Sequence, residues 1–423
     1  MNGFQQIRRQ LSTHNQQHLL QKFDELTAEA QEQLVDTIQR IDLDLMEILY
    51  HKATRHESSK EVDISPVNYI SKENLHPDER RYYEKIGEEI IRSGKVAVVT
   101  MAGGQGTRLG FIGPKGAFIF DPETGKSIFE ALTDTMREAC EKYGTNITWY
   151  IMTSKQNHDE TKKFFDEHNN FGYPGDIIYF NQGELPMLDV NGKILLDENY
   201  QVKMAANGHG GTLISMEREG IIEHMKSNGI KWVSINGVDN VLVKPIDPLF
   251  IGIAASCNMM GAIKSIEKAY PEEKVGIICR KNGKIGVVEY TEISKEMAGR
   301  KNEKGELVFG DANALFNLFS IEGLELVSKV SLPYHVAFKK ADYIDQYGNF
   351  VKGEKPNSYK FEQFIFDAYE LFDEVCVLRV KREDEFAPIK NAEGQDSPET
   401  ALKLYRAYKE KKARKELSWE QQE

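Results

Sequence analysis

The sequence predicts an α/β protein with a mixed, mainly parallel β-sheet covered by helices on both faces. From residue 95 onward, short β-rich runs alternate with helical segments, which is the pattern of strand–helix–strand units. Before that point, apolar residues recur at helical spacing and predict a helical N-terminal region of residues 1–90. A chain of 423 residues allows about two or three domains.

The individual elements follow from apolar periodicity. Apolar stripes within residues 19–26 and 34–49 predict two N-terminal helices, with Thr27 as the N-cap of the second, and we expect them to form a layer on the main domain. Later runs predict strands at 96–100, 147–152, 177–180, 232–235, 262–267, 275–279, 286–290 and 375–380. Helices are predicted between them at 127–143, 159–168, 212–227 and 359–372.

The composition excludes several classes of function. The chain has 54 Lys and Arg against 66 Asp and Glu, a net charge of −12, so phosphate backbones would repel it and no nucleic-acid partner is expected. Its apolar runs are far shorter than the roughly 18 residues of a membrane helix, so no membrane association is expected. The polar N-terminus lacks the apolar core of a signal peptide. Four scattered cysteines without a Cys-x-x-Cys pair favour a cytoplasmic location.

One segment combines a strand with a glycine-rich loop and two cations. The apolar strand runs directly into Gly103, Gly104 and Gly106, and Arg108 and Lys115 follow. Glycines let backbone N–H groups approach a ligand closely, and successive N–H groups form a concavity that binds anions. The spacing is not that of a P-loop, and the third glycine of the dinucleotide fingerprint is a leucine here. The segment therefore predicts a phosphate-binding loop of another kind.

Two further positions suggest ligand chemistry. Asp239 follows the apolar run at 232–235 and emerges near the carboxyl end of a strand, where ligands bind in such sheets. A carboxylate there can hold Mg²⁺ against phosphate oxygens. The side-chain amide of Gln182 can pair with both a donor and an acceptor of a ligand, and residues 208–211 form a second loop rich in glycine.

The first loop resembles the signature loop of the UDP-sugar pyrophosphorylases, and the similarity is greatest to the eukaryotic branch of that family that makes UDP-N-acetylglucosamine. The resemblance is carried, in order along the chain, by residues 96–110, 114–116, 149–154, 182–183, 207–211, 238–243, 266–268, 287–290, 335–337, 356–360 and 382–391. It implies a Rossmann-like, GT-A-like nucleotidyltransferase fold. The implied division is a helical region at 1–90, a catalytic domain at 91–391 and a short helical tail at 392–423.

The resemblance also implies roles for individual residues. Arg108, Lys115 and Lys390 would be catalytic residues that hold the reacting phosphates, and Asp239 would bind Mg²⁺, the implied cofactor. Substrate contacts are implied for Met101, Ala102, Gly103, Gly104, Gln182, Gly208, His209, Asp239, Glu289, Tyr290, Asn313 and Lys360.

Two positions depart from the family pattern. His209 stands where the family usually has asparagine in its second glycine loop, and Asn317 stands where it usually has histidine, four residues after Asn313. We interpret His209 as a neutral hydrogen-bonding replacement for the amide. Both changes bear on the identity of the sugar more than on the chemistry.

The implied reaction transfers UMP from UTP to a sugar 1-phosphate, with release of pyrophosphate. N-acetylglucosamine 1-phosphate is the first choice of substrate, and glucose, galactose or N-acetylgalactosamine 1-phosphate stay open as alternatives. A glycosyltransferase would offer an Asp-x-Asp pair for its metal, yet Asp42-Leu-Asp44 lies in the helical N-terminal region. A non-catalytic UDP-sugar sensor has no need for Arg108 and Lys115, whose charges suit UTP. The oligomeric state stays open.

Overall fold

The computed structural model describes residues 2–55 and 63–420, so residues 421–423 of the predicted tail lie outside the described residues. The α-helices in the described part are α1 (Asn2–Thr13), α2 (Ala28–Gln39), α3 (Leu43–Thr54), α4 (Pro77–Arg92), α5 (Ile128–Tyr143), α6 (His158–Glu167), α7 (Gly211–Arg218), α8 (Ile221–Ser227), α9 (Pro248–Ser256), α10 (Lys295–Gly299), α11 (Ile321–Ser328), α12 (Arg382–Glu385) and α13 (Pro398–Glu420). None of these helices is long and apolar enough to span a bilayer.

Most of the β-strands are short. They are β1 (Ile64–Pro66), β2 (Ile70–Ser71), β3 (Val96–Met101), β4 (Ile119–Asp121), β5 (Lys126–Ser127), β6 (Thr148–Thr153), β7 (Ile177–Asn181), β8 (Glu184–Pro186), β9 (Leu188–Asp189), β10 (Met204–Ala206), β11 (Trp232–Gly237), β12 (Gly261–Glu267), β13 (Ile277–Lys281), β14 (Lys284–Val288), β15 (Asp311–Ser320), β16 (His335–Lys339), β17 (Tyr343–Ile344), β18 (Phe350–Val351), β19 (Ser358–Glu362) and β20 (Cys376–Val380).

By compactness the chain divides into two units, each assembled from several stretches of sequence. Unit 1 consists of Met1–Glu61, Gly183–Gly211 and Leu332–Ile365, and unit 2 of Val62–Gln182, Thr212–Ser331 and Phe366–Glu423. The predicted helical N-terminal region is present, with α1–α3 in unit 1 and α4 in unit 2. The domain boundaries predicted near residues 90 and 391 stay a prediction, because compactness alone does not define a functional domain.

Unit 2 is built on an 11-stranded sheet whose main path runs β2–β20–β12–β15–β11–β3–β6–β7. β3 pairs in parallel with both β6 and β11, and β6 pairs in parallel with β7. β15 runs antiparallel to β11 and β12, which makes the sheet mixed as predicted. Because β3, β6 and β11 share one direction, their carboxyl ends lie at the same edge, and the loops that follow them meet there.

The core of unit 2 forms where helices pack on this sheet. β3 is buried at every position, and Trp149 of β6 is fully buried with its ring edge-on to Phe165. Helices α4 and α9 approach closely because Gly87 and Gly252 face the opposite backbone. A Cβ at these positions would lie 1.9 and 1.8 Å, respectively, from a carbonyl oxygen of the other helix.

Unit 1 contains the first three helices and two later stretches of chain. Leu11, Leu34 and Leu49 of these helices share one apolar core with Leu196 and Phe361. The predicted helical layer therefore packs on residues 183–211 and 332–365 of its own unit.

The helix ends in unit 1 follow ordinary capping chemistry. The Thr27 side chain accepts a hydrogen bond from the Ala30 N–H, which confirms Thr27 as the N-cap of α2. Asp42 accepts from the Leu45 N–H and caps α3 in the same way. The Asp42-Leu-Asp44 sequence is thus a structural feature of a helix N-terminus.

Several of the predicted elements need correction. The first N-terminal helix, predicted from residues 19–26, consists of two 3-10 helices, Gln17–Leu20 and Phe23–Glu25, and the second is divided by Asp42, which begins a new α-helix. The helix predicted at 359–372 is wrong, because Tyr359 and Phe361 alternate with polar residues and pair as part of β19 with β16, and a 3-10 helix follows at Ile365–Leu371. The helix predicted at 212–227 is interrupted by Gly220 in the left-handed region. β15 has no counterpart among the predicted strands, since its buried polar side chains obscured the apolar pattern.

Candidate active site

The glycine-rich loop begins at the carboxyl end of β3 and folds back on itself. The Ala102 N–H donates to the Met152 carbonyl of β6 at 2.8 Å, which continues the ladder one residue beyond β3. The Lys115 N–H donates to the Gly104 carbonyl at 3.0 Å, and this bond closes the loop. Met101, Ala102 and Gly106 are buried and Gly103 is half-buried, whereas Gly104 is exposed, so among these residues Gly104 offers the most surface to a ligand.

A buried asparagine supports the loop from within unit 2. The Asn157 Nδ2 donates to the carbonyls of Ala102 and Gly104, at 3.0 and 3.2 Å. Its Oδ1 accepts the Ser154 N–H at 2.8 Å. Asn157 was absent from the sequence-based candidates, because a lone amide after a strand carries no pattern of its own. Its place between β6 and α6 makes it a supporting residue for the loop.

Side chains closely approach two of the loop glycines. A Cβ at Gly103 would lie 2.4 Å from Oε1 of Gln182, and a Cβ at Gly116 would lie 2.3 Å from the ring of Phe129. The amide of Gln182, which follows β7, therefore lies directly against the backbone of the loop. The structure thus brings together two predicted contacts of the nucleotide, Gly103 and Gln182.

The predicted cations form one electrostatic cluster around Lys115. Burial lowers the pKa of the Lys115 ammonium below its ordinary value of 10.5. The carboxylate of Asp239 opposes this shift, whereas the positive charges of Lys390 and Arg108 add to it. Asp239, Lys390 and Arg108 are therefore all within electrostatic reach of Lys115, in the region expected from the strand directions.

Asp239 and Lys390 are positioned by backbone pairing beyond the sheet. The Val238 N–H donates to the Met101 carbonyl at 3.1 Å, so the segment that carries Asp239 leaves the sheet beside the start of the glycine-rich loop. The Ile389 N–H donates to the Asp239 carbonyl at 2.8 Å, which places Lys390 one residue from the same contact. Chain segments about 150 residues apart thus meet at this point.

Asp396 is a charged neighbour of Lys390 that was not among the sequence-based candidates. Its carboxylate lies 3.8 Å from the Lys390 ammonium, and its carbonyl accepts the Lys390 N–H at 2.6 Å. Burial raises the pKa of Asp396, and the charges of Lys390 and Arg382 oppose that shift. Asp396 adopts a positive φ of 56°, which turns the chain back toward Lys390.

The donor set near Asp239 bears on how a metal ion would be held. Within residues 2–55 and 63–420, no group of three or more His, Cys, Asp or Glu side chains is arranged to hold an ion. Mg²⁺ at nucleotide sites is commonly held by one or two carboxylates, with phosphates and water as the other ligands. A single carboxylate from Asp239 fits an ion that arrives with a nucleotide, and does not fit a resident structural ion.

The predicted sugar contacts lie near Gly276, which immediately precedes β13; Glu289 follows β14 and Asn313 lies on β15. The Asn313 N–H of β15 donates to the Gly276 carbonyl at 2.8 Å, and Oε1 of Glu289 would be 3.4 Å from a Cβ at Gly276. Tyr290 is exposed and borders a cavity of about 150 Å³ that Lys268 and Glu273 also line. The structure therefore brings Glu289 and Asn313 together, with Tyr290 adjacent to Glu289 in sequence.

The second glycine loop lies in unit 1, where the glycines allow close backbone packing. Gly208 has a φ of +84°, and a Cβ there would lie 2.4 Å from the Gln363 carbonyl oxygen. His209 stacks on Phe364 with ring centroids 5.1 Å apart. Its Nδ1 accepts the Ile365 N–H at 3.1 Å, so Nδ1 carries no proton and the ring proton of the neutral form is on Nε2.

Lys360 is the remaining predicted contact in unit 1. It lies on β19, and its ammonium donates to the Glu362 carboxylate at 2.7 Å. The strand then continues into residues 363–365, which pack against the second glycine loop. Lys360 and His209 thus belong to one local structure, and their contacts with phosphate or sugar stay predictions.

Asn317 is part of the sheet interior. It is 1 % exposed, its Nδ2 donates to the Ile235 carbonyl at 3.2 Å, and its Oδ1 accepts from the Tyr369 hydroxyl at 3.0 Å. Both ends of the amide are therefore used within the core of unit 2. The departure from the family pattern at this position changes core hydrogen bonding, and the expectation that it influences the sugar directly has no support in these contacts.

A parallel sheet that ends in a glycine-rich loop beside two lysines, an arginine and a carboxylate defines a nucleotide-binding α/β protein. The chain belongs to the UTP–glucose-1-phosphate uridylyltransferase family, which it matches over residues 43–412.

Relatives cover nearly the whole chain. The chain is 36 % identical to human "UDP-N-acetylhexosamine pyrophosphorylase-like protein 1" over 94 % of its own length and 83 % of that protein. It is 35 % identical to the UDP-N-acetylglucosamine pyrophosphorylase of Saccharomyces cerevisiae, over 92 % of its own length and 87 % of that protein. Among solved structures, the Trypanosoma brucei uridine diphosphate N-acetylglucosamine pyrophosphorylase, in complex with an inhibitor, gives a TM-score of 0.80 at 29 % identity, covering 96 % of this chain and 84 % of that one.

Proposed function

We propose that this protein is a UTP:sugar-1-phosphate uridylyltransferase that uses N-acetylglucosamine 1-phosphate and forms UDP-N-acetylglucosamine and pyrophosphate. The observation that supports it most is the partly buried Lys115 ammonium, which shares its electrostatic environment with Arg108, Lys390 and Asp239 beside the glycine-rich loop. Such a set of charges suits two polyanionic substrates better than one neutral ligand. The names of the relatives support the same reaction.

The chemistry needs no general base. A phosphate oxygen of the sugar 1-phosphate attacks the α-phosphorus of UTP, and a new oxygen–phosphorus bond forms. The bond between the α-phosphorus and the oxygen that bridges to the β-phosphorus breaks, and its electron pair leaves with pyrophosphate. Because the nucleophile is already an anion, the barrier comes from bringing two anions together, and catalysis rests on position and charge.

The cationic side chains divide this task. Arg108 is exposed on the loop and binds the departing pyrophosphate, and Lys115 stabilises charge on the α-phosphoryl group. Lys390 exchanges its ion pair with Asp396 for the incoming sugar phosphate. Asp239 would hold Mg²⁺, the proposed cofactor, and the bound ion supplies positive charge that neutralises phosphate oxygens.

The polar contacts select the nucleoside and the sugar. Gln182, held against Gly103, pairs with the uracil edge, and the glycines of the first loop lie under the nucleotide. Glu289 and Asn313, which both lie near Gly276, bind sugar hydroxyls. For Gly208, His209 and Lys360 of unit 1, contacts with the substrate stay a prediction from the sequence. We place the reaction in the cytoplasm, because all four cysteines are free thiols.

The same transfer to glucose, galactose or N-acetylgalactosamine 1-phosphate is the alternative. Discrimination between such sugars rests on one or two pocket contacts, each worth about 1–3 kcal/mol. The human relative is named for N-acetylhexosamines as a class, which supports an acetamido sugar. The name does not distinguish N-acetylglucosamine from N-acetylgalactosamine.

Pyrophosphate release is the test. The purified protein is incubated with UTP, Mg²⁺ and each sugar 1-phosphate in turn, with UTP alone and sugar phosphate alone as controls. We expect one pyrophosphate per UDP-sugar formed, and the highest kcat/KM with N-acetylglucosamine 1-phosphate. A clear preference for glucose 1-phosphate would overturn the substrate, and UDP-sugar binding without any turnover would overturn the activity.

A further inference from the structure

The side chain of Asn240 joins two segments that carry proposed site residues. Asn240 is 3 % exposed, and its Nδ2 donates to the Glu385 carbonyl at 2.7 Å. Its Oδ1 accepts the Ala387 N–H at 2.8 Å and the Leu242 N–H at 3.1 Å. The amide therefore uses its donor and its acceptor on one short stretch of backbone, 145 and 147 residues away in sequence.

The backbones on either side of this amide pair as well. The Val241 N–H donates to the Ala387 carbonyl at 3.2 Å, and the Ile389 N–H donates to the Asp239 carbonyl at 2.8 Å. Asp239 immediately precedes Asn240, and Lys390 immediately follows Ile389. The contacts of Asn240 thus lie one residue from the proposed metal carboxylate and three residues from the proposed phosphate lysine.

The far end of this connection is itself fixed. The Glu385 carboxylate is buried and binds the ammonium groups of Lys264 and Lys72 at 2.6 and 2.9 Å. Both lysines also bind Asp247, at 2.7 and 3.0 Å, so the four charges close into one network. Burial acts to raise the pKa of Glu385, yet Lys264 and Lys72 hold it below its usual value, so the carboxylate stays charged. A charged group paired twice in the interior has little freedom to move.

We propose that Asn240 is a positioning residue that sets the separation of Asp239 and Lys390 for the transfer reaction. The inference rests on the proposed function, because the roles of those two residues belong to it. An amide is needed because the site offers a carbonyl to one side and N–H groups to the other. An ionised carboxylate would face the Glu385 carbonyl with an oxygen, and an alanine would leave all three partners without a bond.

The test is the nearly isosteric variant N240D, with N317D as the matched control. Both replace a buried asparagine of unit 2 that bonds a carbonyl through Nδ2, but the partners of Asn317 are Ile235 and Tyr369 in the sheet interior. Each variant places a buried carboxylate opposite a carbonyl, so the two should lose stability to a similar extent. In N240D part of the loss should appear as a higher KM for the sugar phosphate, which a smaller folded fraction would not produce.

At pH 8 and well below the melting temperature, we expect kcat/KM for both substrates to fall about 100-fold in N240D, since a misplacement of about 1 Å costs that much. N317D should stay within about threefold of the wild type despite a lower Tm. If N240D matches the wild type, or if N317D loses as much activity, the positioning role is wrong. Should N240D not fold, N240S and N317S are compared by the same criteria.

The wild type in the same assay separates the two levels of the proposal. If the wild type releases no pyrophosphate with any sugar 1-phosphate, the proposed function fails. If the wild type is active and folded N240D is equally active, only the role of Asn240 fails.

Discussion

The backbone N–H of Lys115 donates to the carbonyl of Gly104 at 3.0 Å, so a hydrogen bond holds the lysine backbone against the glycine-rich loop. The backbone of Lys115 therefore moves with the loop, and partial burial restricts its side chain before any substrate arrives. Because fixed charges need no reorganisation during the reaction, this arrangement favours stabilisation of the transition state.

Replacing Lys115 should separate activity from stability. We expect K115M to lose about 10²–10³ in kcat, because one preorganised charge is removed. Burial already disfavours the charged ammonium, so a neutral side chain of similar length should leave Tm unchanged or higher. Pyrophosphate release and thermal melting measure the two effects.

A surface lysine provides the control for this variant. Lys163 of α6 is exposed and pairs only loosely with Glu167, at 3.7 Å. K163M should keep both activity and Tm. Near wild-type turnover by folded K115M would contradict the role of Lys115.

The lowered pKa of Lys115 predicts the alkaline side of the pH profile. The charged form is the active one, so kcat/KM should be full at low pH and should fall as pH rises through this pKa, below the ordinary lysine value of 10.5. K115R should be slow, since a planar guanidinium does not replace a compact ammonium, and it should lack this limb because arginine stays charged. If kcat/KM of K115R also falls at the same alkaline pH, the fall is caused by the titration of a group other than Lys115.

A side chain at Gly103 should displace the amide of Gln182. In G103A the new Cβ would lie 2.4 Å from Oε1 of Gln182, which forces the amide away from its position. We expect KM for UTP to rise about tenfold with a smaller change in kcat, as for lost ground-state binding. G299A is the control, because nothing lies within 4 Å of a Cβ at Gly299. Equal KM values for G103A and G299A would argue against the role of Gln182.

His209 should act as a neutral hydrogen-bonding group and not in proton transfer. Its Nδ1 accepts the Ile365 N–H, so the ring acts as a hydrogen-bond acceptor in this contact. H209N should therefore keep kcat within about tenfold and leave the shape of the pH profile unchanged, with the main effect on KM for the sugar phosphate. Loss of an acidic limb in H209N would show that the ring does exchange a proton.

The parallel strands could be predicted from the sequence, because β3, β6 and β11 are buried at nearly every position and appear as apolar runs. β15 could not be predicted in this way, because it contains the buried polar residue Asn317, whose hydrogen-bond partners lie on other elements. The helix predicted at 359–372 failed because cross-strand partners of Tyr359 are distant in sequence.

The same distinction applies to the site. The glycine-rich loop and its cations were predictable because their spacing is local. Asn157 and Asp396 could not be predicted, because their contacts form only in the folded chain. Asn157 contacts a distant segment, and Asp396 contacts Lys390 where the chain turns back. Support for a site is thus less visible in sequence than the groups that face the ligand.

A crystal structure of the protein soaked with UTP and Mg²⁺ tests the central claim most directly. We predict the triphosphate along residues 103–106 within hydrogen-bond distance of Arg108 and Lys115, and the uracil edge against Gln182. Nucleotide bound at another place, with Arg108 and Lys115 directed into solvent, would contradict the account.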